Sequence, residues 1–426
     1  MKRTCLFTLF CCLCLALSAQ VTLDECRRAA QLNYPVARQY DLIRLSEQYT
    51  LANAAKGNLP QVSLSGKVSY QSEATTFPIE IPGIGMRGLP KDQYQVQLEV
   101  TQNLWDGGTI HAQKEQTKAQ TQENTRQLDV TMYALNEQVN QVFFGILLID
   151  EQLEQNKLLE EELQRNLKNV CAYRENGIAN DADVDAVQVE ILNTLQQRAQ
   201  LSANRTAYLR MLSLLTGKPF DEQTQLISPE TPDEAEILYI ARPELALYQA
   251  QQQSLEVARQ NLQAGYMPRI GLFAQGAYGN PGLDILKDKF RAYYIVGARL
   301  TWNFGSLYTL KNDKRKLDTQ RRQIESNRDL FLFNTRLQLA EEYGILLALR
   351  EQMKHDDEII RLRTNIRKAA EAKVANGTLT VTEMLREVTA ESLARQTKAL
   401  HEIQLLMHQY QQQHLTNNGD NTHLNP

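Results

Sequence analysis

The chain of 426 residues is long enough for two or three ordinary domains, is 42% hydrophobic but only 7% aromatic, and carries a formal charge of −4. With Lys and Arg spread along its length, that balance excludes a nucleic-acid partner recognised through a basic surplus. Past the N-terminus there is no run of about 18 apolar residues, which excludes spanning a membrane by helices and leaves a closed β-barrel as the alternative.

Lys2 and Arg3 precede an apolar run from Cys5 to Leu17 and then "ALSAQ". A charged start, a short apolar stretch and small residues at the end predict a cleaved signal peptide over 1–19, the run being too short for an anchoring helix. Loss of its two cations takes the mature charge from −4 to −6. Four of the six cysteines leave with it. Cys26 and Cys171 remain, far apart in sequence, and both are expected to be free.

The mature chain is written twice. "NYPVA" at 33–37 answers "ARPEL" at 241–245, and "NLPQVSLSGKVSY" answers "YMPRIGLFAQGAY", both at an offset of 208. "LWDGG" answers "WNFGS" at an offset of 198, "GILL" recurs at 199, and "GIANDADV" answers "GTLTVTEM" at 200. Each repeat reads helix, strand, loop, strand, very long helix, tight turn, long helix. The first repeat covers 20–216, with strands at about 61–71 and 92–104, a hairpin at about 108–216 and its tip near 177. A Pro-rich connecting segment occupies 217–241. The second repeat covers 242–414, with strands at about 269–278 and 291–303, a hairpin at about 306–414 and its tip near 377. The residues from 415 to 426 read as a polar, disordered tail.

Each strand alternates. Val62, Leu64, Val68 and Tyr70 share a face opposite Gln61, Ser63, Ser65, Lys67 and Ser69. Tyr70, Tyr94, Tyr278, Tyr294 and Trp302 suit interfacial aromatic girdles of a membrane barrel. Alternation alone fits the half-buried strands of a soluble sheet equally well. If the strands do span a membrane, four are too few to close a barrel, so several chains must share one. The helices from 109 to 176 and from 307 to 376 contain no proline and one glycine each, Gly145 and Gly344. Their apolar stripe is narrow, so they must bury a seam against neighbours.

The duplicated unit, with its "NYP" and "RPEL" helix starts, "LWDGG" strand exit and "GIANDADV" tip, resembles the TolC-type outer-membrane efflux protein family. The resemblance covers nearly the whole mature chain. It implies a mainly α fold with β: a homotrimer whose four strands per chain form a 12-stranded transmembrane β-barrel, continued by a long periplasmic α-helical barrel. It implies outer-membrane lipid around the barrel, and a periplasmic adaptor (membrane fusion protein) and an inner-membrane transporter as partners. In the family acidic residues near the tips ring the pore. Glu383 and Asp183 occupy that position here, while Arg386 stands where a second acid is common and would either cancel the Glu383 charge or lock the aperture by pairing with Asp183 or Asp185. The tip turns, Gly177, Ile178 and Ala179 with Gly377, Thr378 and Leu379, would contact the adaptor. Asp181 reads instead as a helix cap.

"GIGMRG" at 83–88 matches a dinucleotide fingerprint but lies among prolines between two strands, not in a βαβ unit. His401 and His408 lack the spacing of a metal site. The chain is expected to be no enzyme and to hold no cofactor or metal. The function expected is the passive exit duct of a tripartite efflux or secretion system. The alternative is a periplasmic coiled-coil adaptor or scaffold that never enters a membrane.

Overall fold

The computed structural model describes residues 21–73, 90–232, 239–284 and 287–417. The expected signal peptide, the 83–88 motif and the tail from residue 418 lie outside the described residues. In chain order the elements are α1 (Leu23–Asn33), α2 (Gln39–Lys56), β1 (Gln61–Tyr70), β2 (Asp92–Trp105), α3 (Thr109–Glu175), α4 (Asp181–Thr216), α5 (Pro243–Asn261), β3 (Arg269–Asn280), β4 (Arg291–Thr301), α6 (Ser306–Ala375) and α7 (Val381–Thr416). The last helix runs two residues into the segment expected to be tail. It is closed by Asn417 at φ 55, whose amide nitrogen Nδ2 donates to the Ala241 carbonyl at 2.9 Å.

The chain divides into two compact units, one of residues 40–127 and 246–328, the other of residues 1–39, 128–245 and 329–426. The first holds the strands. They form one antiparallel sheet in the order β1-β2-β3-β4, with the outer edges of β1 and β4 unpaired among the described residues. The register sets Leu64 opposite Leu98, Leu98 opposite Gly276, and Gly276 opposite Tyr294. Apart from Phe273 and Ile295, which fall on the polar face, the large apolar members of the four strands therefore share one face, as period-2 alternation requires. That face is bare: Leu64 is 73% exposed, Val68 76% and Val296 70%.

A bulge at Leu104 carries Trp105 opposite Ile270, so Trp105 leaves the polar face that strict alternation assigns it and joins the apolar one. Each strand pair then turns directly into a long helix. The Asp106 carboxylate accepts the backbone N–H of Gly108 at 2.9 Å and of Ile110 at 2.7 Å, with Gly107 and Gly108 at φ 70 and 86. Asn303 repeats the device, accepting from the Gly305 N–H at 3.0 Å. Asp106 and Asn303 are 197 apart, as are Trp105 and Trp302, so the two strand exits correspond one residue closer than the sequence comparison placed them.

The second unit holds the hairpin cores. α3 has 67 residues and α6 has 70, each about 100 Å long at 1.5 Å per residue. Phe143, Phe144, Val139, Ile146 and Leu212 are fully buried. The two "GILL" glycines differ. A Cβ at Gly145 would overlap the Tyr208 ring of α4, whereas one at Gly344 would meet nothing within 4 Å in the chain. Gly145→Ala is therefore expected to destabilise the first hairpin by about 1–3 kcal/mol through overpacking. Thermal unfolding measures it, with an unchanged midpoint as the contrary result.

The connecting segment is tied down by several side chains, among them Arg205, Ser213 and Tyr410. Arg205 pairs with Asp150 at 2.5 Å and donates to the carbonyls of Glu222 and Thr224, both at 2.8 Å. Val21 adds a parallel bridge to Leu226 of the same segment. Cys26 and Cys171 are free, and burial pushes the Cys26 thiol up to about 12.

Candidate functional site

Both hairpins turn by the same local chemistry. α3 ends at Glu175 and α6 at Ala375, and each is followed by Asn-Gly. The glycines Gly177 and Gly377 sit at φ 73 and 70, a left-handed conformation that suits glycine. The Ile178 N–H reaches back to the Tyr173 carbonyl at 2.8 Å and the Thr378 N–H to the Lys373 carbonyl at 2.9 Å. Gly177 and Gly377 donate to Arg174 and Val374 at 3.0 and 2.9 Å, which completes a Schellman stop in each hairpin.

The returning helices start with matched capping boxes. Asn180 caps α4 and its own N–H is accepted by the Asp183 carboxylate at 3.0 Å. Thr380 caps α7 and is closed in the same way by Glu383, at 3.1 Å to the N–H and 2.8 Å to the hydroxyl. The cap expected at Asp181 is thus at Asn180. Asp181 opens the helix and pairs with Arg174 at 3.3 Å. The Thr380 hydroxyl and backbone N–H, aided by the Arg386 charge, hold the Glu383 carboxyl below the ordinary carboxylate range. Glu383 is consequently ionised at neutral pH.

Asp185 and Arg386 are exposed, and neither forms an ion pair within the chain among the described residues. A link between Arg386 and Asp183 or Asp185 is absent inside one chain. The structure does bring the two tips together: a Cβ on Gly377 would lie 4.0 Å from the Ile178 side chain. Beneath them Val170, Val184, Val187, Val374, Met384, Leu385 and Val388 form one apolar cluster, with Ala179 and Leu379 packed against it. Gly177, Ile178, Gly377 and Thr378 remain exposed.

Sequence reading missed the ion network just beyond that cluster. Arg367 on α6 meets Glu391 of α7 at 2.5 Å and Glu162 of α3 at 3.1 Å, and also pairs with Glu371. Glu391 is buried and is held further by Arg395 at 2.7 Å and Thr364 at 2.8 Å. The available signal was Glu391 itself, a carboxylate in register with the buried stripe Val381, Met384, Leu385 and Val388.

On the sheet, the register separates the expected aromatics. Tyr70, Tyr94, Tyr278 and Tyr294 lie toward the loop end, where Phe290 packs 6.1 Å from Tyr94 and 5.7 Å from Tyr278. Trp302 lies at the helix end, its indole N–H donating to the Tyr266 carbonyl at 3.0 Å, with Phe304 4.8 Å away and Trp105 at the same end. Tyr294 and Trp302 are eight residues apart, or about 26 Å along a strand. At the tilt of about 40° usual for membrane-barrel strands this is a rise of about 20 Å, close to the roughly 25 Å apolar band between their aromatic girdles.

Residues 36–218 match the family model for outer membrane efflux protein. Solved structures share the fold over nearly the whole chain. The outer-membrane channel OprN superposes with a TM-score of 0.68 at 14% identity, covering 93% of this chain and 90% of its own. CusC superposes with 0.68 at 14% identity over 93% and 92%. The outer membrane protein VceC from Vibrio cholerae superposes with 0.67 at 11% identity over 92% and 95%. At these identities the likeness is one of fold. No curated protein matches the sequence.

Proposed function

We propose that this protein is an outer-membrane efflux channel, extending into the periplasm, in which three chains share one 12-stranded barrel and continue it as a helical tunnel. The observation that carries the reading is the sheet: four strands with two unpaired edges and a bare apolar face flanked by aromatics at both ends. Unpaired edges and exposed apolar strands are both unstable in water. Edge pairing between copies and a lipid surround remove both at once. A periplasmic scaffold offers no cover for that face.

The chain would act as the passive exit duct of a tripartite efflux or secretion system, receiving cargo through a periplasmic adaptor from an inner-membrane transporter. The exposed tip turns around Gly177 and Gly377 are the proposed adaptor contact. Asp183 and Glu383, repeated three times around the axis, are the proposed aperture ring, with Arg386 and Asp185 able to pair between chains. Six carboxylates around a narrow, low-dielectric opening concentrate cations.

Glu383→Gln separates charge from cap, because glutamine also closes a capping box. It is expected to cost little stability while reducing cation preference and altering conductance. Unchanged single-channel current and selectivity would place the aperture elsewhere. Membrane fractionation tests the location: recovery with the outer membrane as a trimer supports the channel, and release with soluble periplasmic protein supports the scaffold.

A further inference from the structure

The four strands carry six charged residues: Lys67, Asp92, Glu99, Arg269, Arg291 and Arg299. Asp92 lies opposite Tyr70 in the apolar register, at the strand end. The other five share the polar face, four cations against one carboxylate, net +3 per chain. Lys67 and Arg291 lie in one cross-strand row, Lys67–Gln95–Gly279–Arg291, toward the loop end. Arg269 and Arg299 lie toward the helix end, with Glu99 between the two pairs.

Among the described residues only one of these cations faces an acid. Arg299 is 3.9 Å from Glu99 and its guanidinium carbon is 5.0 Å from the centre of the Phe273 ring. Phe273 occupies the space left by Gly297, where a Cβ would come within 2.9 Å of the ring. Glu99 is held in turn by Gln97, in a chain of hydrogen bonds running through Gln95 to the Tyr293 hydroxyl. Arg269 donates to the Thr109 hydroxyl at 3.4 Å. Lys67, Arg269 and Arg291 form no ion pair among the described residues and are exposed.

A water-filled lumen requires polar side chains but no excess of one sign, and Ser, Gln and Thr alone would satisfy it. We infer that the polar face of the sheet is an anion-attracting lumen wall, which favours solutes bearing carboxylate, sulfonate or phosphate groups over cations in the barrel segment. This rests on the barrel reading, and it gives the barrel the opposite electrostatic sign to the acidic tips. Three copies would set twelve cations against three carboxylates around one bore, where low-dielectric walls focus the field.

The test uses outer-membrane vesicles carrying the full chain with Ser65→Cys, whose side chain lies on the polar face beside Lys67. Its rate of modification by a sulfonate-bearing methanethiosulfonate is compared with that by the trimethylammonium analogue, each relative to free cysteine. The unsubstituted chain supplies the background from Cys26 and Cys171. The expected ratio favours the anionic reagent by about tenfold in 0.1 M salt. It should collapse in 1 M salt, where the Debye length is about 3 Å, and fall in K67Q/R291Q. A ratio near one, or in favour of the cation, overturns the inference. Leu64→Cys, on the apolar face, identifies failure of the barrel reading itself. Buried in lipid it should react with neither reagent, so Leu64→Cys labelling as fast as Ser65→Cys, or an inert Ser65→Cys, would remove the lumen altogether.

Discussion

Replacing Arg367 with methionine is expected to loosen the hairpin tips by about 3 kcal/mol, although the side chain touches neither turn. Arg367 joins α6 to Glu391 on α7 and Glu162 on α3, and its loss leaves the buried Glu391 with Arg395 and Thr364 alone. Removing one partner of a buried pair costs more than the pair contributes, because a charge is left desolvated. Replacing both groups, Arg367→Met with Glu391→Leu, is therefore expected to recover most of the loss. Hydrogen exchange over Ala370–Val374 and Val381–Val388 provides the measurement. Faster exchange in the single variant and near-normal exchange in the double variant are the expected pattern. Equal exchange in all three would show that the network does not hold the tips.

The same network fixes a pH dependence. Burial pushes the Glu391 carboxyl up, but Arg395, Thr364 and Arg367 together outweigh it and hold the group below its ordinary range. Its folded value lies under an unfolded value of about 4.3. The stabilisation is thus fully present above about pH 4.3 and is lost as pH falls through the lower, folded value. The tips should remain closed-packed at neutral and mildly acidic pH, and tip exchange should accelerate only below about pH 4.

Leu64→Arg is the second large effect expected. Leu64 sits mid-strand on the apolar face, opposite Leu98 and away from both aromatic ends. An arginine at the bilayer midplane of a barrel costs about 2–4 kcal/mol per chain, and a trimer meets that cost three times. Ser65→Arg, one residue along, points the same charge to the polar face and is expected to assemble normally. Outer-membrane yield of heat-resistant trimer distinguishes the two. Equal yields would return these strands to an ordinary water-exposed sheet.

Much of this architecture was legible in the sequence because it rests on local rules. Alternation placed Leu64 and Val296 on one face, the absence of proline made rods of α3 and α6, and the glycines Gly177 and Gly377 marked both tips. What was not legible depends on a departure from periodicity or on distant partners. The bulge at Leu104 moves Trp105 to the apolar face against its parity. The strand exits correspond through Asp106 and Asn303, two different residues performing one hydrogen-bonding task. The Asn180 cap displaced the one expected at Asp181, because Asp183 was three residues on to close the box. The Arg367 network joins residues more than 200 positions apart in sequence, between Glu162 and Arg367, and no spacing rule reaches that far.

The central claim is that several copies of this chain form one transmembrane duct. Single-channel recording of the detergent-purified protein in a planar bilayer, with its mass determined on the same sample, tests it most directly. A trimer that gives discrete conductance steps, altered by Glu383→Gln, is the result predicted. A water-soluble monomer that never inserts would contradict it.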